Sequence, residues 1–298
     1  MHDSQTRPTH RFRIAIAGGG ARVAAPATVL ILLVLATLPA FAGRNLIQDL
    51  IFLFYMLALA QCWNLLAGYA GLISVGQQAF VGLGGYLLFA LTMIFELNPL
   101  FAIPIAGVIS ALCALPTALI VFRLRGAYFA IGTWVVAEVY RLVFAQVKPL
   151  GGGTGTSLTP SVTSSVPGIE WVKAAFDLRT PAARDIVSYW IALALMAATL
   201  AAIYFILRSR RGLALGAIRD NEAAAEGLGV DIYRIKLAVY VATAAMTGMI
   251  GALIYLQKAR ISPDAAFSVL DWTAYIIFIV VIGGIGTREG PVIGAIIF

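Results

Sequence analysis

Histidine is nearly missing from this chain: there are two in 298 residues, His2 and His10, both within the first ten. Cysteine is as scarce, with Cys62 and Cys113 each lying alone in apolar surroundings. Neither a zinc site nor a disulfide framework can be built from such a set, so the two thiols read as small buried hydrophobes. No HExxH, no GxSxG and no paired-carboxylate cluster with catalytic spacing occurs, which argues against chemistry on a substrate. A Walker motif is also absent. The triple glycine Gly151–Gly153 follows no strand and precedes no Gly-Lys-Ser/Thr, so ATP hydrolysis by that route is excluded and no cofactor or metal is implied. Charge is the last scarcity. Asp, Glu, Lys and Arg make up 12% of positions against 61% hydrophobic residues, with a mean hydropathy of +0.92. A soluble domain carries about 25% charged residues, so an all-α, polytopic membrane bundle is expected.

A span needs roughly 20 apolar residues to cross ~30 Å of hydrocarbon. That ruler gives about eight segments: Val23–Ala42, Leu46–Leu66, Tyr69–Phe95, Leu100–Phe122, Ala127–Val147, Ile186–Leu207, Leu237–Gln257 and Trp272–Ile285. The apolar stretch Pro291–Phe298 is too short to cross as a helix. It reads as the start of a span cut short, or as a re-entrant or interfacial piece. With the N-terminus in the cytoplasm, thirteen of the 21 Lys and Arg residues fall inside and seven outside, as the positive-inside rule requires. Residues 1–22 are then a basic cytoplasmic tail, with no apolar core long enough for a signal peptide. The membrane body runs over 23–298, with an outer loop at 148–185. The net charge of +7 calls for no nucleic acid, because basic residues facing anionic lipid account for it. The outer loop opens on irregular Gly/Ser/Thr/Pro-rich chain, and Glu170 to Asp177 can form a short surface helix with Trp171 at the interface.

Two sets of polar residues fall inside these spans. The stretch Gly68–Tyr86, GYAGLISVGQQAFVGLGGY, is dense in glycine and carries Ser74, Gln77 and Gln78, with Asn64 just before it. Lipid cannot satisfy such groups, so they face protein or water. They either glue helices together or line a translocation path beside a broken helix. Glu138 and Arg141 stand at i, i+3 on one helix face. They form either a structural ion pair, with Arg141 reaching outward, or part of the path.

The densest polar stretch is Arg208–Lys236, which holds ten of the 35 charged residues between two long apolar segments. It has helix grammar. Asp220 or Asn221 can cap, Glu222-Ala223-Ala224-Ala225-Glu226 forms a helical turn, and Gly227 or Gly229 can end it. An Ala-faced helix at the membrane surface, gripped by a cytoplasmic motor, is the expectation for this segment.

Several phrases together resemble one family: Gly68–Tyr86, LRGAYFAIGTWVVAEVYR (Leu124–Arg141), Gly151–Gly155, GLALGAIRDNEAAAEGLGV (Gly212–Val230) and GGIGTREGPVIGA (Gly283–Ala295). In order, they resemble permeases of branched-chain amino-acid ABC importers, and more closely the M-type subunit. The resemblance covers about Asn45 to the last residue. It implies a sister H-type permease, two cytoplasmic ATP-binding-cassette ATPases, a periplasmic substrate-binding protein and a bacterial inner-membrane location. It also implies that Arg219, Asp220, Asn221, Glu222, Ala223, Ala224, Glu226, Gly227 and Gly229 couple to an ATPase. The wider importer signature places glycine six residues after its glutamate, where this chain has Leu228. A permease for urea or short amides shares every feature above. A stand-alone secondary carrier predicts mid-membrane ion-coupling carboxylates, for which Glu138 is the one good candidate, and leaves the charged segment unexplained.

Overall fold

A computed structural model describes residues 19–177 and 179–298. Most of the basic tail, His2 and His10 included, lies outside these residues. The first compact unit contributes helix α1 (Gly19–Thr37), continued by a 3-10 turn at Leu38–Ala40. Its apolar part, Thr28–Ala40, is shorter than a full span.

The second unit, from Ala42 onward, is a helical membrane bundle. Four of the helix starts carry a side-chain cap that the sequence supplies. Asn98 Oδ1 accepts from Leu100 N at 3.0 Å and starts α4 (Pro99–Val121), with proline in its first turn. Ser209 caps α9 (Arg210–Asp220), Asn221 caps α10 (Glu222–Gly227) and Asp231 caps α11 (Ile232–Lys258) through side-chain acceptors. The remaining elements are α2 (Arg44–Asn64), α3 (Gln77–Met93), α5 (Ala127–Ala145), α6 (Pro160–Ser164), α7 (Ile169–Phe176), α8 (Thr180–Arg208), α12 (Pro263–Ala266), α13 (Tyr275–Gly283) and α14 (Gly290–Ile297). A two-residue antiparallel pair, Thr156–Ser157 with Arg260–Ile261, pins the long loop after α5 to the end of α11.

Six helical stretches among the described residues are long and apolar enough to cross a membrane: Arg44–Tyr69, Pro99–Val121, Ala127–Ala145, Thr180–Arg208, Ile232–Lys258 and Pro263–Gly283. Two of the eight segments expected from hydropathy are not among these six. One is the first, Val23–Ala42. The other is Tyr69–Phe95, where α2 runs through a π-turn at Leu65–Tyr69 into irregular chain, and helix resumes only at Gln77. Hydropathy cannot register such a break, because the broken backbone is as apolar as a helix. The span expected at Trp272–Ile285 begins earlier, at Pro263, and passes through a second π-turn at Leu270–Ala274. The expected surface helix in the outer loop is α7, and α6 adds a short helix in the half expected to be irregular.

Burial sorts the helices. α2 and α3 are buried along most of their length, and α11 through its second half. α11 lies against α3 and α4, and α2 against α8, α13 and α14. By contrast α5 buries only Phe129, Thr133 and Ala137, one stripe at i, i+4, i+8. The rest of its apolar surface faces outward, as lipid permits. Cys62 is buried, Cys113 is partly buried, and both are free thiols.

Candidate functional site

The charged segment folds into two helices rather than one. α9 follows α8 directly through the cap at Ser209, and α10 follows α9 through Asn221. Asn221 takes extended backbone and its Oδ1 accepts from Ala224 N at 3.0 Å. Of the two expected caps it is therefore the working one. α10 closes at Leu228, and Gly229 turns the chain with φ +84°. The helix over 210–220 was not anticipated, because two glycines interrupt it and its first turn opens on two arginines. The Ser209 cap was the available signal.

Each helix has an inner side. Leu215 and Ile218 of α9 and Ala225 of α10 are buried, while Lys236 at the start of α11 pairs with Glu222. The outer side carries Arg219, Asp220, Asn221, Glu222, Ala223, Ala224, Glu226, Gly227 and Gly229, all exposed. Leu228 is 82% exposed at its tip and Leu213 77% exposed on α9. The helix pair is thus fixed to the bundle by a few apolar anchors, with its polar face and two leucines exposed.

Arg219 also reaches inward. Its Nη1 donates to Gly286 O at 3.1 Å, which joins α9 to the loop between α13 and α14. The same loop sits on the last turns of α2. Asn64 Oδ1 accepts from Gly286 N at 2.8 Å, Asn64 Nδ2 donates to Thr287 O at 2.8 Å, and Gln61 Nε2 donates to Arg288 O at 3.0 Å. Gln61 was not singled out in the sequence. It is a polar residue one turn before Asn64 in an apolar span, which is the signal that could have found it.

The path candidates separate into two groups. Asn64, Ser74, Gln77 and Gln78 are buried and spend their polar groups inside the chain. Gln77 Nε2 donates to Thr247 Oγ1 on α11 at 2.7 Å, Thr273 Oγ1 donates to Gln78 Oε1, and Ser74 Oγ accepts from Gly76 N at 3.1 Å. Gln77 thereby ties α3 to α11, and Gln78 ties it to the turn before α13. Glu138 and Arg141 differ. Arg141 is gripped by both Glu138 oxygens, at 2.6 to 3.0 Å, and by Asp264 Oδ1 of α12 at 2.7 Å. Their side chains keep 46% and 29% of their surface, so this triad stays open to the surroundings near the end of α5.

Residues 45–298 match the family model for the permease component of the branched-chain amino acid transport system. The high-affinity branched-chain amino acid transport system permease protein LivM of Escherichia coli is 30% identical, over 87% of this chain and 69% of its own length. Its Salmonella typhimurium counterpart is 30% identical over 78% of this chain and 57% of its own. The probable branched-chain amino acid transport permease protein LivM of Methanocaldococcus jannaschii is 25% identical over 83% of this chain and 76% of its own. The chain thus spans between a little over half and about three quarters of the length of these relatives. No solved structure matches it at a significant level. The matched region takes in the whole of the second compact unit but its first three residues, and the chain belongs to the branched-chain amino acid transport system permease family.

Proposed function

We propose that this permease is the membrane subunit of an ATP-driven importer for branched-chain or related amino acids in a bacterial inner membrane. Its N-terminus is cytoplasmic, a sister H-type permease completes the membrane part, and two ATP-binding-cassette ATPases power it from the cytoplasm. A periplasmic binding protein delivers the amino acid to the opposite face, over the loop 148–185 and the turn after α11.

The observation that carries this reading is the α9–α10 pair, anchored by Leu215, Ile218 and Ala225 and otherwise exposed. It lies within 208–236, the segment that the basic-residue bias assigns to the cytoplasm. A rigid, protruding helix is what an ATPase groove can push. Closure of the two ATPases on nucleotide would then tilt the attached spans α8 and α11 as near-rigid bodies, and open the space between the two permeases to one side at a time. Glu138 and Arg141 are the path candidates that retain surface for such a space.

Ala224→Pro tests the coupling. Proline has no backbone N–H, so the substitution removes the donor that Asn221 Oδ1 uses to start α10. In the reconstituted transporter, uptake should fall about tenfold, equivalent to a coupling loss of about 1.4 kcal/mol. Stimulation of ATP hydrolysis by loaded binding protein should be lost with it. Normal uptake and stimulation would remove the coupling role. Asn221→Ala is the milder version. It should destabilise α10 by about 1 kcal/mol, seen as faster amide hydrogen exchange over 222–228 with the bundle unchanged.

A further inference from the structure

We propose that the loop Gly284–Glu289 is a second coupling element, a strap that carries motion of α9 to α5 through the end of α2. This rests on the reading of α9–α10 as the surface an ATPase moves, and it names what that surface pulls besides its covalent neighbours α8 and α11.

Each link is a hydrogen bond. Arg219 Nη1 holds Gly286 O at 3.1 Å. Asn64 then takes Gly286 N and Thr287 O, each at 2.8 Å, and Gln61 takes Arg288 O at 3.0 Å. Three consecutive loop residues are thus bound through backbone groups to two amides at i, i+3 on one face of α2. Asn64 is 1% exposed, so its bonds face no competition from solvent. The fit is tight. A Cβ on Gly68 would stand 2.5 Å from Gly286 N, and Gly286 holds φ +75°, a conformation that favours glycine.

Beyond Asn64 the chain leaves helical geometry, and the strap continues across the break. Trp63 Nε1 donates to Ser74 O at 2.8 Å, and Val75 N donates to Thr133 Oγ1 at 3.0 Å. Thr133 is one of the three buried residues of α5. α5 carries Glu138 and Arg141 and buries only the stripe Phe129, Thr133 and Ala137, so Thr133 stands at the centre of its seat. Displacement of Arg219 is therefore delivered, through this series of bonds, to the seat of α5. Spatial continuity alone does not establish coupling, whereas a measured interaction energy between the two ends does.

The test uses the whole transporter in proteoliposomes, with branched-chain amino acid uptake counted per ATP hydrolysed. Asn64→Ala changes a residue too buried to touch an ATPase, and it should lower the ratio about fivefold while the ATPases still co-purify. Arg219→Gln should lower it as well, and the double variant should be no worse than the worse single. A wild-type ratio in Asn64→Ala, or losses that multiply in the double variant, would overturn the strap. Should Asn64→Ala fail to accumulate, Gly286→Ala poses the same question from the loop. There a Cβ would press 3.0 Å from Arg219 Nη1, and an unchanged ratio is equally fatal. The reading beneath is tested by the wild-type protein itself. A permease that binds no ATPase, with uptake indifferent to ATP, sinks that reading and the strap together. A coupled wild type with unaffected variants sinks the strap alone.

Discussion

Valine in place of Gly84 is expected to stop α3 and α11 from closing on each other, with loss of folded, detergent-extractable protein. Helices in lipid gain little from burying apolar side chains, because the tails are as apolar as leucine. Association depends on close van der Waals fit, and here the backbones themselves meet. A Cβ on Gly84 overlaps the carbonyl oxygen of Gly248, one on Gly251 overlaps that of Val81, and one on Gly248 runs into Ser110 Oγ of α4. The obstacle in the first two cases is backbone, which cannot rotate away. Forcing the helices apart costs roughly 3 kcal/mol or more, a large share of the ~5–15 kcal/mol that holds a typical fold. It also lengthens the Gln77–Thr247 hydrogen bond between the same helices. Gly216 on α9 has nothing within 4 Å of its Cβ position, so Gly216→Val should purify at the wild-type yield and melting temperature. Equal melting of the two variants would show that the α3–α11 crossing has room to spare.

Those glycines mark the boundary of what the chain discloses by itself. Long apolar runs gave the number of spans nearly right, because each run is its own signal and needs no neighbour. A cap at Asp220 or Asn221 and a terminator at Gly227 or Gly229 were equally readable, since caps and turns are local chemistry. The break at residues 70–76 was foreshadowed by glycine density in Gly68–Tyr86 but could not be placed, because hydropathy is blind to hydrogen-bond geometry. The partners of the buried amides were out of reach. Gln77 meets Thr247, 170 positions on, and Asn64 meets Gly286 and Thr287 more than 220 positions on. No periodicity encodes such pairings. For the same reason the sequence shows Glu138 and Arg141 as a pair, and only the fold adds Asp264 as the third member. The charged segment stood out as a place where something docks, whereas the contact of Arg219 with the distant loop Gly284–Glu289 did not.

Asp185 is the residue whose importance was least legible, and it sets up an asymmetry that can be measured. Arg44 Nε donates to Asp185 Oδ2 at 2.6 Å, and Gln48 Nε2 donates to the same oxygen at 3.0 Å. The carboxylate side chain is 4% exposed, while the arginine keeps 53% of its surface. The two partners are therefore not equivalent. Arg44→Ala leaves a buried carboxylate with a single amide for company, and the expected loss is about 2 kcal/mol, already discounted for the exposure of the arginine. Asp185→Asn removes the buried charge, keeps an acceptor oxygen and releases Arg44 and Gln48 to solvent, so its loss should stay below about 1 kcal/mol. Arg44→Lys keeps the charge on a flexible stem and should fall between them. Melting temperatures of the purified variants give the order directly, and Asp185→Asn falling below Arg44→Ala would mean that the carboxylate is solvated rather than buried. The pair ties the first turn of α2 to the start of α8, while Asn64 and Gln61 hold the other end of α2 to the loop beside Arg219. The Arg44–Asp185 pair thus lies at the opposite end of α2 from Asn64 and Gln61, where the strap crosses it. Loosening the Arg44 end should accordingly lower stability without changing the uptake obtained per ATP.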